Sequence, residues 1–425
     1  MRVLWFTNCP LLPVTRKFRR HDLASGGWMD SLRLELQNYP ALELGVASAS
    51  EFDYRFFEEG GTKFYNLPNP SKNRNLFSIY RRWFPTIKFP EGMRKCLEII
   101  EEFKPDVIHV HGSESYFGAI AKEISIPTVL SIQGILTILE LFYYGGYTYK
   151  DKLSDVFSIE FLRGIDSFHD YRYISKSAIR EMQILKTCEN FIGRTEFDKN
   201  FLALINPGAS YYHCDEILRH CFYLGEWAPE FSDKSIIFCT CSSPAPYKGL
   251  DCLFNAFYIL KTNDFKNVQL RIAGPIQNSP SWHVLRKKMD TLNLTEDVVL
   301  LGLSSPEMIV TELERANVFV LPSYAENSPN SLAEAMLVGT PCIASAVGGV
   351  PSMVTHGKDG LLFPSGDAYS LAGMIAKIIR EPSTAKSISY NAKISALARH
   401  NPQKIAISMM NIYSELKENS RLNLA

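Results

Sequence analysis

Short, almost unbroken apolar runs recur along this chain, each followed by a longer stretch with helical spacing. That alternation limits the fold more than any other feature. The runs "RVLWFTN" (2–8), "LELGVAS" (42–48), "DVIHVHG" (106–112), "TVLSIQG" (128–134) and "ENFIGRT" (189–195) form a first series. A second series follows "GEWAPEFSDK": "SIIFCTC" (235–241), "VQLRIAG" (268–274), "VVLLGL" (298–303), "NVFVLPS" (317–323) and "PCIASAV" (341–347). A strand that is apolar all round needs cover on both faces, which a parallel sheet with crossover helices provides. The pattern predicts an α/β protein of two Rossmann-like, doubly wound domains facing each other across a cleft. At 425 residues the chain has room for both. The predicted boundaries are 1–223 for the first domain, 224–395 for the second, and 396–425 for a helical tail that packs back toward the first.

Composition narrows the setting. The chain carries 45 Lys and Arg against 45 Asp and Glu, which leaves no overall nucleic-acid signature. Its first hundred residues hold 15 basic and 10 acidic side chains, a balance of +5 that would suit an anionic acceptor or peripheral contact with a membrane surface. "MRVLWFTNCP" is too short for a signal peptide and reads as a buried strand. No apolar run approaches the ~20 residues of a membrane span; "GILTILELFYYGGY" is interrupted by Glu140. Nine cysteines without paired C-x-x-C spacing predict free thiols in a reducing compartment, hence a cytoplasmic protein. Residues 134–175, rich in Leu, Phe and Tyr, fit no strand and are predicted to be helical cover for a cleft.

In open α/β sheets ligands bind beyond the carboxyl ends of the strands. One such end leads into "ENSPNSLAEAMLVGTP" (326–341). Ser328 is the predicted N-cap, Pro329 suits the first turn, and Gly339 ends the helix before Pro341. Glu326 then sits in the loop facing the helix start and Glu334 about one turn inside. A helix N-terminus offers free N–H groups and partial positive charge to a phosphate, and carboxylates beside it accept hydrogen bonds from sugar hydroxyls. Against this stands the plain alternative that both are ordinary acidic residues complementing a helix dipole.

The residues around this stretch settle the comparison. "PSYAENSPNSLAEAMLVGTPCIASAVGGVPSMVTHGKDGLLFPSGD" (322–367) closely resembles the C-terminal half of GT-B fold glycosyltransferases of the retaining family 4, the glycosyl transferases group 1. Glu326 and Glu334 supply its E-x7-E pair, and "YKGLDCLFNAF" (247–257), "GGVP" (348–351) and "DGLLFPSGD" (359–367) match accompanying blocks in order. The first half matches more loosely, through "SGGW" (25–28) and "HVHG" (109–112).

The resemblance implies a nucleotide-sugar donor on the C-terminal domain, a saccharide or lipid-linked acceptor on the N-terminal domain, and transfer with retention. It implies no metal, and the sequence has no D-x-D. Bacterial surface-polysaccharide assembly is the expected setting, by analogy of fold. Glu326 corresponds to the residue contacting the transferred sugar, and Glu334 to the one binding the donor ribose. Lys248 corresponds to a diphosphate ligand, with backbone N–H groups of Asn330, Ser331 and Leu332. Gly26 and Gly27 open a helix where a phosphate can approach the backbone, and Gly274 shapes the base pocket. His111, at a strand end, corresponds to a histidine that contacts the donor sugar or orients the acceptor; His109 is the buried neighbour on the same face. Glu326, His111 and Lys248 are thus the expected catalytic residues.

One departure stands out. The family often carries an arginine about six residues before the lysine, and here that place falls in "CSSP". Arg194, after "FIG", is the expected substitute at the diphosphate or else a contact for an anionic acceptor. Arg219 is the runner-up, with a plainer role as an i,i+3 helical partner of Glu216. Other readings are an epimerase or phosphorylase acting on nucleotide sugars with the same fold, or a non-catalytic sugar-nucleotide-binding protein.

Overall fold

The computed structural model describes residues 1–18, 26–52, 54–68, 82–84, 89–229, 234–278 and 281–422. Ser25 of the "SGGW" block lies outside the described residues, as do Arg19, Arg20, Lys72, Arg74, Arg81 and Lys88 of the basic N-terminal stretch.

The chain forms two compact units. The first comprises Met1–Thr137, Tyr173–Leu218 and His400–Ala425; the second comprises Ile138–Arg172 and Arg219–Arg399. The first differs from the uninterrupted 1–223 of the sequence reading, because Ile138–Arg172 clusters with the second unit. It also takes back the chain at His400, so the tail is split. Helix Pro382–Arg399 stays in the second unit and helix Pro402–Leu422 enters the first.

The first unit holds strands β1 (Arg2–Thr7), β2 (Glu43–Ser50), β3 (Phe56–Glu59), β4 (Thr62–Pro68), β5 (Val107–His111), β6 (Thr128–Ser131), β7 (Asn190–Gly193) and β8 (Ser210–His213). Their order is β3-β4-β2-β1-β5-β6-β7-β8, parallel except for the β3–β4 pair. The second unit holds β9 (Ser235–Thr240), β10 (Val268–Ala273), β11 (Val298–Gly302), β12 (Val318–Leu321), β13 (Cys342–Ser345) and β14 (Leu361–Phe363), all parallel. Counted from β9, its order β11-β10-β9-β12-β13-β14 is the 3-2-1-4-5-6 of a dinucleotide-binding sheet.

All ten apolar runs are strands. Among the described residues four further strands escaped the pattern. β3 and β8 are four-residue edge strands with mostly accessible residues, and β14 has three residues. β4 mixes polar with apolar residues and pairs with β3 across Gly60 and Gly61, both at positive φ. Short, half-wet strands carry too few apolar residues to register as buried runs.

Each sheet reverses direction of winding beside its first strand, between β1 and β5 in one unit and between β9 and β12 in the other. Those reversals open the crevices where α/β sheets bind ligands. In the first unit, alternation along β5 sends Val107, His109 and His111 to one face. That face packs with Met29, Leu32 and Leu36 of helix Gly27–Leu36 and with Ile405, Met409, Ile412 and Tyr413 of helix Pro402–Leu422. The last helix of the chain is therefore core of the first unit. The second core centres on Ile237, Phe254, Phe257, Val318, Val320 and Ile343.

Candidate active site

In the second unit the loops that leave β9 and β12 are neighbours because their strands pair. The Tyr324 N–H donates to the Tyr247 carbonyl oxygen at 2.7 Å, tying one loop to the other. One residue on, Lys248 Nζ donates to Glu326 Oε1 at 2.7 Å, and Ser323 Oγ donates to the same oxygen at 2.8 Å. The two charged side chains keep 24% and 12% of their surface, enough for a ligand to reach them in a sheltered place. Burial pulls the Lys248 ammonium down, but the carboxylate of Glu326 and the phenol of Tyr247 outweigh it, and its pKa is raised. The lysine is a fixed cation.

The helix expected from "NSLAEAMLV" runs Asn330–Val338 and ends at Gly339, φ +89°. Its start differs from expectation. Pro329 occupies the cap position and among the described residues no side chain caps the helix; Ser328 Oγ points instead to the Met353 sulfur, 3.7 Å away. Leu332 N–H turns back to the Pro329 carbonyl oxygen at 3.1 Å. Among the described residues none accepts from the N–H groups of Asn330 and Ser331, so these two remain at the open, positive end of the helix dipole.

Glu334 is buried, with 7% exposure, and does not stand alone. Arg219 donates to its Oε1 from Nε at 3.1 Å and from Nη2 at 2.7 Å, and among the described residues none donates to Oε2. Burial raises the Glu334 pKa and Arg219 pulls it back. This corrects the plain reading of Arg219: it is no partner of Glu216, and its guanidinium, packed over Phe222 at 4.8 Å, brings a second cation to the switch point. Gly274 closes β10 at φ +138°, where a Cβ would fall 1.8 Å from the Cys241 carbonyl oxygen. Only glycine allows that approach.

In the first unit, His111 ends β5 in register with Thr7 at the end of β1. The two histidines of "HVH" share a face, with ring centroids 3.8 Å apart, and have different fates. His109 Nδ1 meets Tyr413 Oη at 2.7 Å and its Nε2 meets Ser131 Oγ at 2.7 Å. Trp5 Nε1 donates to the same Tyr413 oxygen at 3.0 Å, so Tyr413 donates to Nδ1 and His109 donates from Nε2. Burial holds the His109 pKa down at about 3, and the ring is neutral. His111 is 1% exposed, and among the described residues neither ring nitrogen has a partner. Burial, then His109 and Arg194, push its pKa well below the usual histidine value. His111 thus presents one unpaired donor and one unpaired acceptor to a cavity of about 20 Å³ that Trp28, Arg194 and Glu216 also line, room for a single water-sized group.

Arg194 is not free for a diphosphate. Its Nη2 donates to the Ile132 carbonyl oxygen at 2.6 Å, its Nη1 pairs with Glu216, and it is 5% exposed. A buried ion pair of this kind is costly to open. Gly26 has φ +84° and precedes helix Gly27–Leu36, whose start has no side-chain cap among the described residues. The Arg219–Glu334 pair joins residues 115 positions apart and so leaves no local signature in the sequence.

These facing observations separate two predictions. His109→Ala should destabilise the first unit by roughly 1–3 kcal/mol, because Tyr413 and Ser131 lose a buried partner. His111→Ala should cost less, because it loses packing but no hydrogen bond. A thermal melt of both variants checks this, and a larger loss for His111→Ala would reverse the assignment.

Two Rossmann-like units, the second with a sheltered cation–carboxylate pair at its switch point, define the GT-B class of fold. Residues 226–395 match the model of the family "Glycosyl transferases group 1". Among curated proteins, 137 residues are 27% identical to 2-deoxystreptamine N-acetyl-D-glucosaminyltransferase of Niallia circulans, covering 32% of this chain and 35% of that protein. An uncharacterized glycosyltransferase of Methanocaldococcus jannaschii is 27% identical over 369 residues, covering 82% of this chain and 87% of the relative. Among solved structures, sucrose-phosphate synthase from Thermosynechococcus elongatus superposes with a TM-score of 0.73 at 18% identity, covering 98% of this chain and 99% of that one.

Proposed function

We propose that this chain is a retaining glycosyltransferase. It takes a sugar from a nucleotide-sugar donor held by the second unit and passes it to a saccharide or lipid-linked acceptor received by the first. The observation that carries the reading is the pairing of Lys248 with Glu326 and of Arg219 with Glu334 at the switch point of a dinucleotide-type sheet. An incoming diphosphate competes with Glu326 for Lys248 and meets Arg219 and the N–H groups of Asn330 and Ser331. Glu334 keeps Oε2 for a ribose hydroxyl. Glu326, once Lys248 turns to the phosphate, is free to accept from hydroxyls of the sugar. As the anomeric bond breaks, negative charge grows on the leaving diphosphate, and fixed donors at that position lower the barrier. In this reading His111 uses its unpaired ring nitrogens for a hydroxyl near the reacting carbon, and the open helix start at Gly26–Gly27 offers N–H groups to the donor phosphate.

The nine free cysteines suit a reducing compartment, and we place the protein in the cytoplasm. No helix among the described residues is long and apolar enough to cross a membrane. Peripheral attachment at the inner membrane face, in surface-polysaccharide assembly, is the setting we propose. The deciding experiment incubates the protein with UDP-glucose or GDP-mannose and candidate acceptors and follows the product anomer by NMR. A product with inverted configuration would sink the retaining mechanism. Absence of both transfer and slow donor hydrolysis across a broad donor panel would leave only a binding role.

Turnover should survive EDTA, because Lys248, Arg219 and the helix N-terminus meet the diphosphate charge with protein donors. Activity lost with chelator and restored by Mg²⁺ would show that this charge is balanced in another way.

A further inference from the structure

The second unit contains a piece of chain that the sheet does not require. Between β6 and β7 the polypeptide runs through helix Leu136–Phe142, a turn at Tyr143–Gly146 and helix Tyr149–Val156. Ile138–Arg172 belongs to the second unit although the strands on either side belong to the first. The turn is built from two overlapping hydrogen bonds, Gly145 N–H to the Phe142 carbonyl oxygen and Tyr147 N–H to that of Tyr144. It presses against the two loops that carry Lys248 and Glu326.

The contact leaves no slack. Gly145 lies so close to Tyr324 that a Cβ there would fall 2.2 Å from the ring Cδ2. A Cβ on Gly146 would fall 2.1 Å from Asp251 Oδ2 and 2.3 Å from Tyr324 Oη. The ring is held on its other edge by Gly366, whose Cβ would be 3.1 Å away, and its hydroxyl donates to Asp251 Oδ2 at 3.0 Å. Beside it, the Tyr143 ring lies 5.9 Å from the ring of Tyr247. Tyr247 immediately precedes Lys248, and Tyr324 stands two residues before Glu326. The Tyr324 N–H bond to the Tyr247 carbonyl oxygen joins the two contacted residues directly. A displacement of either ring has no path that avoids the loops, since packed interiors do not absorb such shifts.

We propose that the turn Tyr143–Gly146 is a positioning element for the donor site: by gripping Tyr324 and Tyr247 it sets the separation of Lys248 from Glu326. Gly145, Gly146 and Tyr324 are positioning residues that act through the loop backbone. The inference rests on the donor-site reading for its meaning in turnover, but its geometry can be tested without any donor.

Reductive methylation of lysines with formaldehyde and borohydride, read out residue by residue by peptide mass spectrometry, reports how tightly Lys248 is held. Lys261 is the internal control, because it is paired with Asp297 in the same unit and keeps 25% of its side-chain surface, close to the 24% of Lys248. In Gly145→Ala the rate at Lys248 should rise about tenfold, the scale of losing a hydrogen bond to a charged group, while Lys261 stays unchanged. In the double variant Gly145→Ala/Tyr324→Ala the rate should be no higher than in Tyr324→Ala alone, because the added methyl then has nothing to displace. Tyr324→Phe keeps the ring and loses only the bond to Asp251. It serves if Gly145→Ala does not fold, and should shift Lys248 in the same direction by less. An unchanged Lys248 rate in folded variants, or an equal rise at Lys248 and Lys261, overturns the proposal. If wild-type protein turns over neither UDP-glucose nor GDP-mannose, that result counts against the proposed function, and the labelling result stands by itself.

Discussion

Replacing Lys248 by alanine should lower turnover at saturating donor about 100- to 1000-fold, the usual effect of removing one fixed donor from developing negative charge. The lysine is a cation at any working pH, because Glu326 and Tyr247 more than offset its burial. Its loss deprives the diphosphate of a charge and leaves the Glu326 carboxylate, among the described residues, with Ser323 alone as a side-chain partner. The fold should hold, since the two loops remain tied by the Tyr324–Tyr247 backbone bond. Lys248→Arg should recover little: the guanidinium fork is wider and flatter than an ammonium, so it cannot reproduce a single short bond to Oε1. Steady-state rates with a thermal melt on the same samples decide the matter. Rates within a few-fold of wild type in Lys248→Ala would remove the lysine from the chemistry.

The second large effect concerns Arg219, and it appears in stability as well as in binding. Arg219→Met should weaken donor binding about 5- to 150-fold, the range for one or two lost hydrogen bonds to a bound anion. It should also destabilise the protein by about 3–5 kcal/mol near neutral pH, because Glu334 is left as an unpaired buried carboxylate. The sign of the pH dependence follows. Burial already raises the Glu334 pKa, and Arg219 is what restrains it. Without the arginine the folded value rises further above the unfolded one, so the folded variant binds the extra proton. Its stability deficit should therefore be largest above the folded pKa and shrink as pH falls through it. Chemical denaturation at pH 7.5 and pH 5 measures this directly. The double variant Arg219→Met/Glu334→Leu should regain most of the stability while still binding donor weakly. A single variant as stable as wild type at both pH values would mean that the pair is not held in solution.

Much of this architecture is written in local patterns. Ten strands are legible because a strand covered on both faces is apolar along most of its length. The helix after β12 ends at Gly339 where local rules put it, and the E-x7-E spacing places Glu326 before that helix and Glu334 within it. Alternation along "HVH" likewise assigns His109 and His111 to one face. Each of these signals acts over a few residues, through backbone dihedrals and side-chain periodicity.

Partnerships lie outside that range. Nothing near Arg219 announces Glu334, and nothing near Arg194 announces that its guanidinium turns to Ile132 and Glu216. His109 differs from His111 because Tyr413, 304 positions away, and Ser131, 22 positions away, reach one ring and not the other. The same holds for Ser328, a good cap by composition that the chain path directs toward Met353 instead. Residues 134–175 were readable as helices, but their docking on Tyr324 depends on two glycines whose fit exists only once the second sheet has formed. The sequence by itself determined which segments become strands and helices and which acidic residues flank the helix. The tertiary structure alone decided which cation meets which carboxylate, because that depends on how distant elements pack, and packing distance has no counterpart in sequence distance.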